Sequence, residues 1–340
     1  MSEKSKFRGC PATGIGSMPG GDAREAAKTV TGSFGDGQGL PHLAELPARG
    51  PGADMIGRTI GLLVDLYGHV EPSGWRISDR PGRDTRRARS WLGEDLDALE
   101  EFTQGYEGPL KVQAVGPWTL AAALERRGGE AALGDPGACR DLAGSLAEGL
   151  RAHLAEVRRR VPGAEVVLQL DEPSLTGVLH GRIRTASGYR TYRAVDRQVV
   201  EGTLRDVLAA GGGATVVHTC APEVPFALLR RAGADGISFD FSLLTEREEE
   251  AIGEAVEGGT QLFLGVVPGT DPASGGLSDP GGSVMGVRTL WRRLGLNPGT
   301  LTESVVITPS CGLAGASPAY ARAALAHCAR AARSLADNPE

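Results

Sequence analysis

The chain has 340 residues, a formal net charge of −6 and a hydrophobic content of 41%, which is enough for a globular fold with a large core. The acidic balance argues against a nucleic-acid partner, and no apolar run approaches the roughly 20 residues of a membrane span. The cysteines number five. An odd number, in a chain that does not start with an apolar leader, indicates a cytoplasmic location rather than a disulfide framework.

Short apolar segments alternate with longer amphipathic segments along the chain. Asp22 is predicted to cap the first helix, and a polar connection at residues 71–83 is predicted to be a long loop. The alternation predicts an α/β fold with a parallel sheet, and eight such units predict a (β/α)8 TIM-type barrel that forms a single domain over residues 1–340. A doubly wound open sheet is the alternative. The predicted strands span residues 12–17, 40–46, 110–115, 165–170, 214–220, 236–241, 261–267 and 304–308.

The fifth predicted strand, ATVVHTC, ends in residues that suggest a metal site. Side chains alternate between the two faces of a strand, so His218 and Cys220 point the same way. An imidazole beside a thiol suits zinc. Asp240 lies at the end of the sixth strand and Cys311 follows the eighth, which gives a candidate ligand set at one end of the barrel. From spacing alone, His218 and Cys220 are equally compatible with a buried core pair.

Other polar residues follow predicted strands, and each has an ordinary structural alternative. Asp171 and Glu172 come directly after the fourth strand. One of them is expected to face the barrel mouth, although with Pro173 they are also compatible with a surface turn. Glu45 follows the second strand, where the alternative is a solvated loop residue. Ser17 lies in the segment GIGSMPGG, which is either a main-chain anion site or a glycine-rich turn.

Taken together, these segments resemble the catalytic domain of cobalamin-independent methionine synthases. The segments GIGSMPG, LQLDEPSL, HTC, ISFDFS and PSCGL are similar to motifs of that family and occur in the family's order. They extend from Ile15 to Leu313, so the resemblance covers nearly the whole chain. It is a resemblance to short forms that have only the catalytic domain. The fold that it implies is a (β/α)8 barrel, in agreement with the number of predicted strands.

The resemblance implies a zinc-dependent S-methyltransferase that converts homocysteine to methionine. Zinc would be held by His218, Cys220 and Cys311, with Asp240 where the family has a glutamate. A free thiol has a pKa of about 8.5, and coordination to a metal removes its proton. The thiol of homocysteine would therefore become a nucleophile for a methyl group.

The resemblance also assigns the groups that bind the amino-acid part of homocysteine. Ile15 and Ser17 would bind the α-carboxylate, and Glu45 and Asp171 would bind the ammonium group and act as the catalytic residues. Two alternatives stay open. One is a zinc-dependent alkyl transferase or lyase that acts on another small thiol, and the other is a non-catalytic zinc-binding subunit.

The chain departs from the family where the family binds its methyl donor. Thr270 falls near the place of the family's histidine proton donor, while Ala123 and Gly177 correspond to folate-contacting tryptophan and glutamate residues. The donor implied is a corrinoid rather than polyglutamyl methyltetrahydrofolate. Among the other histidines, His42 and His180 are the plausible substitutes for the missing acid.

Overall fold

The structure is a computed structural model that describes residues 7, 11–35, 37, 39–273 and 276–340. Within that part of the chain, strands and helices alternate as the sequence predicts. The strands are β1 (Tyr67–Glu71), β2 (Gly74–Ser78), β3 (Gly108–Val115), β4 (Leu124–Glu125), β5 (Ala164–Asp171), β6 (Thr215–Thr219), β7 (Gly236–Asp240), β8 (Gln261–Val267) and β9 (Val305–Pro309).

The helices connect successive strands, and the predicted cap of the first helix is confirmed. The Asp22 side chain accepts hydrogen bonds from the N–H groups of Arg24 and Glu25. Among the described residues, no helix is both long and apolar enough to cross a bilayer. The α-helices are α1 (Ala23–Phe34), α2 (Met55–Leu62), α3 (Arg83–Phe102), α4 (Pro117–Ala123), α5 (Pro136–Arg160), α6 (Leu175–Leu179), α7 (Arg197–Ala209), α8 (Phe226–Arg231), α9 (Glu249–Glu257), α10 (Pro280–Arg293), α11 (Leu301–Ser304) and α12 (Pro318–Asp337). Short 3₁₀ helices span Pro47–Arg49, Ala132–Gly134, Phe241–Leu243, Glu246–Glu248 and Pro298–Thr300.

A six-stranded sheet in the order β3-β5-β6-β7-β8-β9 forms the centre of the fold. All neighbouring pairs in it are parallel. These strands confirm the third to eighth predicted strands, and the sheet curls into a half-barrel. Because the strands are parallel, their carboxyl ends meet at one edge, where barrel enzymes place their reacting groups.

The first two predicted strands are not strands of this sheet. Residues 12–17 and 40–46 are extended, but they pair with their neighbours only through single bridges. Two glycines interrupt the first segment and Pro41 interrupts the second, and proline cannot donate to a ladder of hydrogen bonds. The described sheet therefore has six strands, and the two bridged segments lie between its edge strands β9 and β3. The bridges are Ala12–Ile307, Thr13–Leu40, Ser17–Glu45 and His42–Lys111.

Two glycines allow the first segment to lie against its neighbours. A Cβ atom at Gly14 would lie 2.4 Å from Cε1 of His42, and a Cβ atom at Gly16 would lie 2.7 Å from Nε2 of Gln113. Both distances are too short for a real side chain. The close approach of residues 12–17 to the segment at 40–46 and to β3 therefore depends on glycine.

The polar connection predicted as a loop at residues 71–83 contains part of a β-hairpin instead. Strands β1 and β2 pair antiparallel, and β2 also pairs with the short strand β4. Gly74 makes the tight turn with a φ of 138°, which glycine tolerates. The Trp75 side chain packs into the core with 6% of its surface exposed. This buried tryptophan explains why a segment rich in arginine and proline is ordered.

The buried side chains form two clusters, and the smaller one closes the lower end of the sheet. The larger cluster contains residues of both the sheet and the surrounding helices. In the smaller cluster, Val216 and Val306 are the second residues of β6 and β9, so it lies toward the amino ends of the strands. We call it the lower apolar layer. Its members are Phe7, Leu40, Val167, Val216, Phe263 and Val306.

Candidate active site

The predicted site residues gather at the carboxyl ends of the parallel strands. Asp171 is the last residue of β5 and pairs in register with His218 of β6. His218 in turn pairs with Ser238 of β7. Cys220 follows β6 directly, and Cys311 lies two residues beyond the end of β9. The strand register therefore brings together residues that are far apart in the sequence.

His218, Cys220 and Cys311 form a compact group of metal-binding atoms. One ligand atom from each residue lies within 4.8 Å of the others, and the two sulfur atoms are 3.3 Å apart. Nδ1 of His218 is 2.9 Å from Oγ of Ser238, while Nε2 is buried and has no hydrogen-bond partner among the described residues. A buried ring nitrogen without a partner, next to two thiols, fits a zinc site in which Ser238 orients the histidine.

The two thiols of this group titrate very differently. Their shared hydrogen bond raises the pKa of Cys220 far above its usual value, and burial acts in the same direction. The same hydrogen bond, followed by the interaction with His218, lowers the pKa of Cys311 to about 4. One thiolate stabilised by one thiol is the state expected of paired cysteine ligands before a metal replaces the proton.

Asp240, the fourth predicted ligand, lies at the end of β7 but outside the compact group. Its Oδ1 accepts hydrogen bonds from the main-chain N–H of Ser242, at 2.9 Å, and from the Ser242 hydroxyl, at 2.6 Å. The carboxylate therefore caps the 3₁₀ helix that begins at Phe241. The described geometry gives three convergent ligands, with Asp240 on the adjacent strand.

Asp171 and Glu45 are buried carboxyl groups on the same side of the sheet. Asp171 is 6% exposed and Glu45 is 4% exposed, whereas Cys220 and Cys311 are only partly buried. Burial raises the pKa of Asp171 and raises that of Glu45 to about 7, although the charge of Arg58 opposes the shift at Glu45. The charge of Asp171 adds to the effect of burial on the pKa of Glu45. Two buried carboxyl groups that repel each other would gain from a cationic ligand.

Arg58 supports Glu45 from outside the sheet. Its Nε atom is 3.7 Å from Oε1 of Glu45, and its NH1 group makes an ion pair with Asp95. Asp95 also pairs with Arg49 at 2.6 Å. All of these groups except Arg49 are nearly completely buried, so Glu45 is held by a network that begins in α2 and α3.

Glu172, the neighbour of Asp171, points elsewhere and has a structural role. Its carboxylate accepts hydrogen bonds from the N–H groups of Trp118 and Thr119, at 2.9 and 2.7 Å, and from the Thr119 hydroxyl at 2.7 Å. These donors lie in the first turn of α4. Burial nevertheless raises the pKa of Glu172 to about 7. Of the two adjacent carboxyl groups, Asp171 lies near His218 and Cys311, and Glu172 binds the first turn of a helix.

Lys111 and Gln169 connect Asp171 to the first segment, and sequence reasoning missed both residues. Nζ of Lys111 donates to the Ile15 carbonyl at 2.6 Å and to Oε1 of Gln169 at 2.7 Å. Nε2 of Gln169 donates to Oδ1 of Asp171 at 2.7 Å and to the Ile15 carbonyl at 3.0 Å. Burial lowers the pKa of Lys111 to about 7, against the opposing charges of Asp171 and Glu45. Polar residues at alternate positions of LKVQAV and LQLD were the signal that these side chains face the interior.

Ile15 and Ser17, the predicted carboxylate-binding residues, lie beside the loop that carries Cys311. The N–H of Leu313 donates to the Ser17 carbonyl at 2.8 Å. A Cβ atom at Gly312 would lie only 2.0 Å from Oγ of Ser17, so the glycine after Cys311 makes room for this hydroxyl. The arrangement places the first segment next to the metal-binding group.

The residues considered for proton donation occupy different positions. Thr270 is exposed in the loop after β8. His42 is 1% exposed, and burial lowers its pKa well below the usual value. His180 is 39% exposed, with Nδ1 3.3 Å from Oε2 of Glu223. Together with Pro222 and Glu223 it lines a cavity of about 800 Å³ beside the loop that follows Cys220.

A family profile matches this arrangement over almost the whole chain. Residues 10–334 match the family described as "Cobalamin-independent synthase, Catalytic domain". The chain belongs to this family. Membership confirms the resemblance seen in the sequence and makes the chain an enzyme of the methyltransferase class.

The fold has counterparts among solved structures. One is a B12-independent methionine synthase from Shewanella sp. W3-18-1 in complex with selenomethionine, with a TM-score of 0.62 and 14% sequence identity. The match covers 96% of this chain and 98% of that chain. At this identity the likeness concerns the fold. No curated protein matches the sequence.

Proposed function

We propose that this enzyme is a zinc-dependent S-methyltransferase that converts homocysteine to methionine. The observation that carries the proposal is the group of His218, Cys220 and Cys311 next to two deeply buried carboxyl groups. In such a site, a metal held by the three ligands would bind the substrate thiol, and the two carboxylates would bind its ammonium group. In the reaction, the substrate sulfur forms a bond to the methyl carbon, the bond from that carbon to the donor breaks, and the electron pair leaves with the donor.

The metal would be held by His218, Cys220 and Cys311. When bound, zinc supplies Lewis-acid activation that favours the thiolate form of the substrate. Three protein ligands leave a coordination position open, as in catalytic rather than structural zinc sites. We assign Asp240 as a weak further ligand, since it lies on the strand adjacent to His218 and its carboxylate would have to leave Ser242 to reach the metal. This arrangement favours the enzyme over the non-catalytic zinc subunit.

The amino-acid part of the substrate would lie deeper than its thiol. Asp171 and Glu45 would bind the ammonium group, because both are buried carboxyl groups that gain by pairing with a cation. The main chain at Ile15 and the hydroxyl of Ser17 would bind the α-carboxylate. If Asp171 and Glu45 proved not to bind an amine, the alternative of an alkyl transferase or lyase acting on another small thiol would be favoured. We further propose that the two bridged segments occupy the first two strand positions of a (β/α)8 barrel.

The donor is proposed to be a corrinoid rather than methyltetrahydrofolate. Transfer from methyltetrahydrofolate requires protonation of the leaving amine, and hence a positioned acid. Thr270 is too weak an acid for this role, and His42 is too deeply buried. The indole of Trp118 donates to the Val200 carbonyl at 3.3 Å and is 2% exposed, so it offers no face to a folate ring. A corrinoid leaving group is stable without protonation.

The test is an assay of methionine formation from homocysteine with a panel of donors. The zinc-loaded protein would be supplied with methyltetrahydrofolate, its polyglutamate, or methylcobalamin. We expect methylcobalamin to support a rate at least about 100-fold higher, the lower end of what one general acid contributes. Equal or faster turnover with methyltetrahydrofolate would refute the corrinoid assignment. In that case, loss of the rate in His180→Ala would identify His180 as a relocated acid.

A further inference from the structure

Lys111 is a lysine in an unusual place, and the roles proposed so far do not use it. It is the fourth residue of β3, and its side chain is completely buried. The interior of such a sheet is normally filled by branched apolar side chains. Burying an ammonium group is costly unless it is paired and hydrogen-bonded, so its presence here calls for a compensating interaction.

The hydrogen-bond partners of Lys111 are neutral. Nζ donates to the Ile15 carbonyl at 2.6 Å and to the Gln169 side-chain oxygen at 2.7 Å. The anions whose charges act on it are Asp171 and Glu45, and neither is within hydrogen-bonding distance of Nζ in the described structure. The lysine therefore interacts electrostatically with both carboxylates of the amino-acid site. Its hydrogen bonds go instead to Ile15 and Gln169.

Gln169 connects Lys111 to Asp171 through hydrogen bonds. Because its amide oxygen accepts from Lys111, its NH₂ group faces the acceptors, Oδ1 of Asp171 at 2.7 Å and the Ile15 carbonyl at 3.0 Å. Lys111 therefore fixes the orientation of an amide that donates to only one of the two oxygens of Asp171. The other oxygen remains available for a ligand.

We propose that Lys111 is a positioning residue: through Gln169 it holds the carboxylate of Asp171 where it meets the ammonium group of the amino-acid substrate. The inference rests on the proposed function, because it takes Asp171 to be the amine-binding group. It predicts that Lys111 acts on the recognition of the amino group, without contacting the substrate.

Lys111 and Gln169 also donate to the Ile15 carbonyl, at 2.6 and 3.0 Å, but other main-chain hydrogen bonds hold the carboxylate end of the substrate site. The N–H of Glu45 donates to the Gly16 carbonyl at 3.1 Å, the N–H of Met18 donates to the Glu45 carbonyl at 2.8 Å, and the N–H of Leu313 donates to the Ser17 carbonyl at 2.8 Å. These bonds fix the main chain around Ser17 when Lys111 is replaced. A change at Lys111 should therefore affect the amine end more than the carboxylate end.

The experiment compares two ligands that differ in the amino group. Zinc-loaded protein is titrated calorimetrically with homocysteine and with 4-mercaptobutyrate, which keeps the thiol and the carboxylate but lacks the amine. In Lys111→Met, a side chain of similar length leaves the Gln169 oxygen without its donor, and we expect the Kd for homocysteine to rise about tenfold or more. The Kd for 4-mercaptobutyrate should change by less than about threefold, since these main-chain hydrogen bonds remain.

Gln169→Met breaks the same chain of contacts and decides the question if Lys111→Met fails to fold. It should show the same ligand-selective loss, and the double variant should bind homocysteine no more weakly than the weaker single variant, because coupled residues are not additive.

The matched control is Gln261→Met. Gln261 is a buried glutamine at the start of β8 whose amide donates to the Glu303 carbonyl at 2.5 Å. Its replacement should lower the thermal stability and leave both affinities unchanged.

Asp171→Asn, measured in parallel, separates the possible failures. If Asp171→Asn weakens homocysteine binding while Lys111→Met and Gln169→Met bind it as the wild type does, the positioning role is wrong and the proposed function stands. Equal losses for both ligands would show a general structural effect and would also overturn the role. If Asp171→Asn itself binds homocysteine normally, the amine site is wrong and the role of Lys111 falls with it.

Discussion

Replacement of Asp171 by asparagine tests the amine site most directly. The carboxylate accepts a hydrogen bond from Gln169 at 2.7 Å, and an asparagine oxygen can accept the same bond. The substitution therefore removes the negative charge and keeps the shape and the anchoring of the side chain. A loss of affinity can then be attributed to the charge.

The size of the effect follows from the burial of the group. Asp171 is 6% exposed, and truncating one partner of a buried charge pair typically costs about 2–5 kcal/mol. That range corresponds to roughly 30-fold to several thousand-fold in affinity. Glu45 would still pair with the ammonium group, so we expect the lower end, a rise in the Kd for homocysteine of about 30-fold or more.

Glu172→Gln provides the control, because Glu172 is the adjacent carboxyl group and is completely buried. Its three hydrogen bonds come from Trp118 and Thr119, and an amide nitrogen in place of one oxygen would face an N–H donor. We expect the free energy of unfolding to fall by about 1–3 kcal/mol with homocysteine affinity unchanged. Calorimetric titration and thermal unfolding of both variants form the assay. Wild-type homocysteine affinity in Asp171→Asn would refute the reasoning.

Three further predictions concern the metal, the pH dependence and the first segment. Cys220→Ser and Cys311→Ser should each lose most of the zinc that the purified protein holds, as measured by elemental analysis, and full retention in both would contradict the metal site. Burial raises the pKa of Glu45 from 4.5 to about 7, so the folded state favours its protonated form and the contribution of this group to stability falls as pH rises from 4.5 to about 7. Denaturant titrations across that range should show a flatter profile in Glu45→Gln, and an unchanged profile would count against the shift. Gly312→Ala should displace the Ser17 hydroxyl and weaken homocysteine binding as much as Ser17→Ala does; a loss in Ser17→Ala without one in Gly312→Ala would show that the hydroxyl has room to adjust.

The sequence predicted the sheet well where strands are continuous and apolar. Segments such as VVLQL and QLFLGVV are buried on both faces, and their runs of branched residues indicate parallel strands. The segments at 12–17 and 40–46 are interrupted by glycine or proline, and their pairing depends on glycine contacts with His42 and Gln113. A sequence pattern does not contain such contacts between distant residues.

The sequence predicted that three candidate metal ligands would lie together, but it did not predict the residues that surround them. His218, Cys220 and Cys311 are rare residue types at strand ends, and the structure groups them as metal-binding atoms. The sequence does not show which of the two adjacent acids, Asp171 or Glu172, faces the candidate site. The N–H and hydroxyl donors of α4 decide this, because they bind the Glu172 carboxylate. Lys111 was missed because a lysine inside a strand suggests a solvated face, whereas its complete burial and its hydrogen bond to Gln169 show that it faces inward.

The lower apolar layer has a kinetic consequence. With Phe7 packed edge-on against Phe263 at 5.2 Å between ring centroids, apolar side chains of the described residues fill the amino end of the sheet, so we expect both reactants to enter from the carboxyl end. The groups expected to bind the amino acid are more deeply buried than the two cysteines. A bulky donor that sits over the thiols would block the route to them. If the proposed function holds, we expect the amino acid to enter first and the donor to follow, and we expect the demethylated donor to depart before methionine is released.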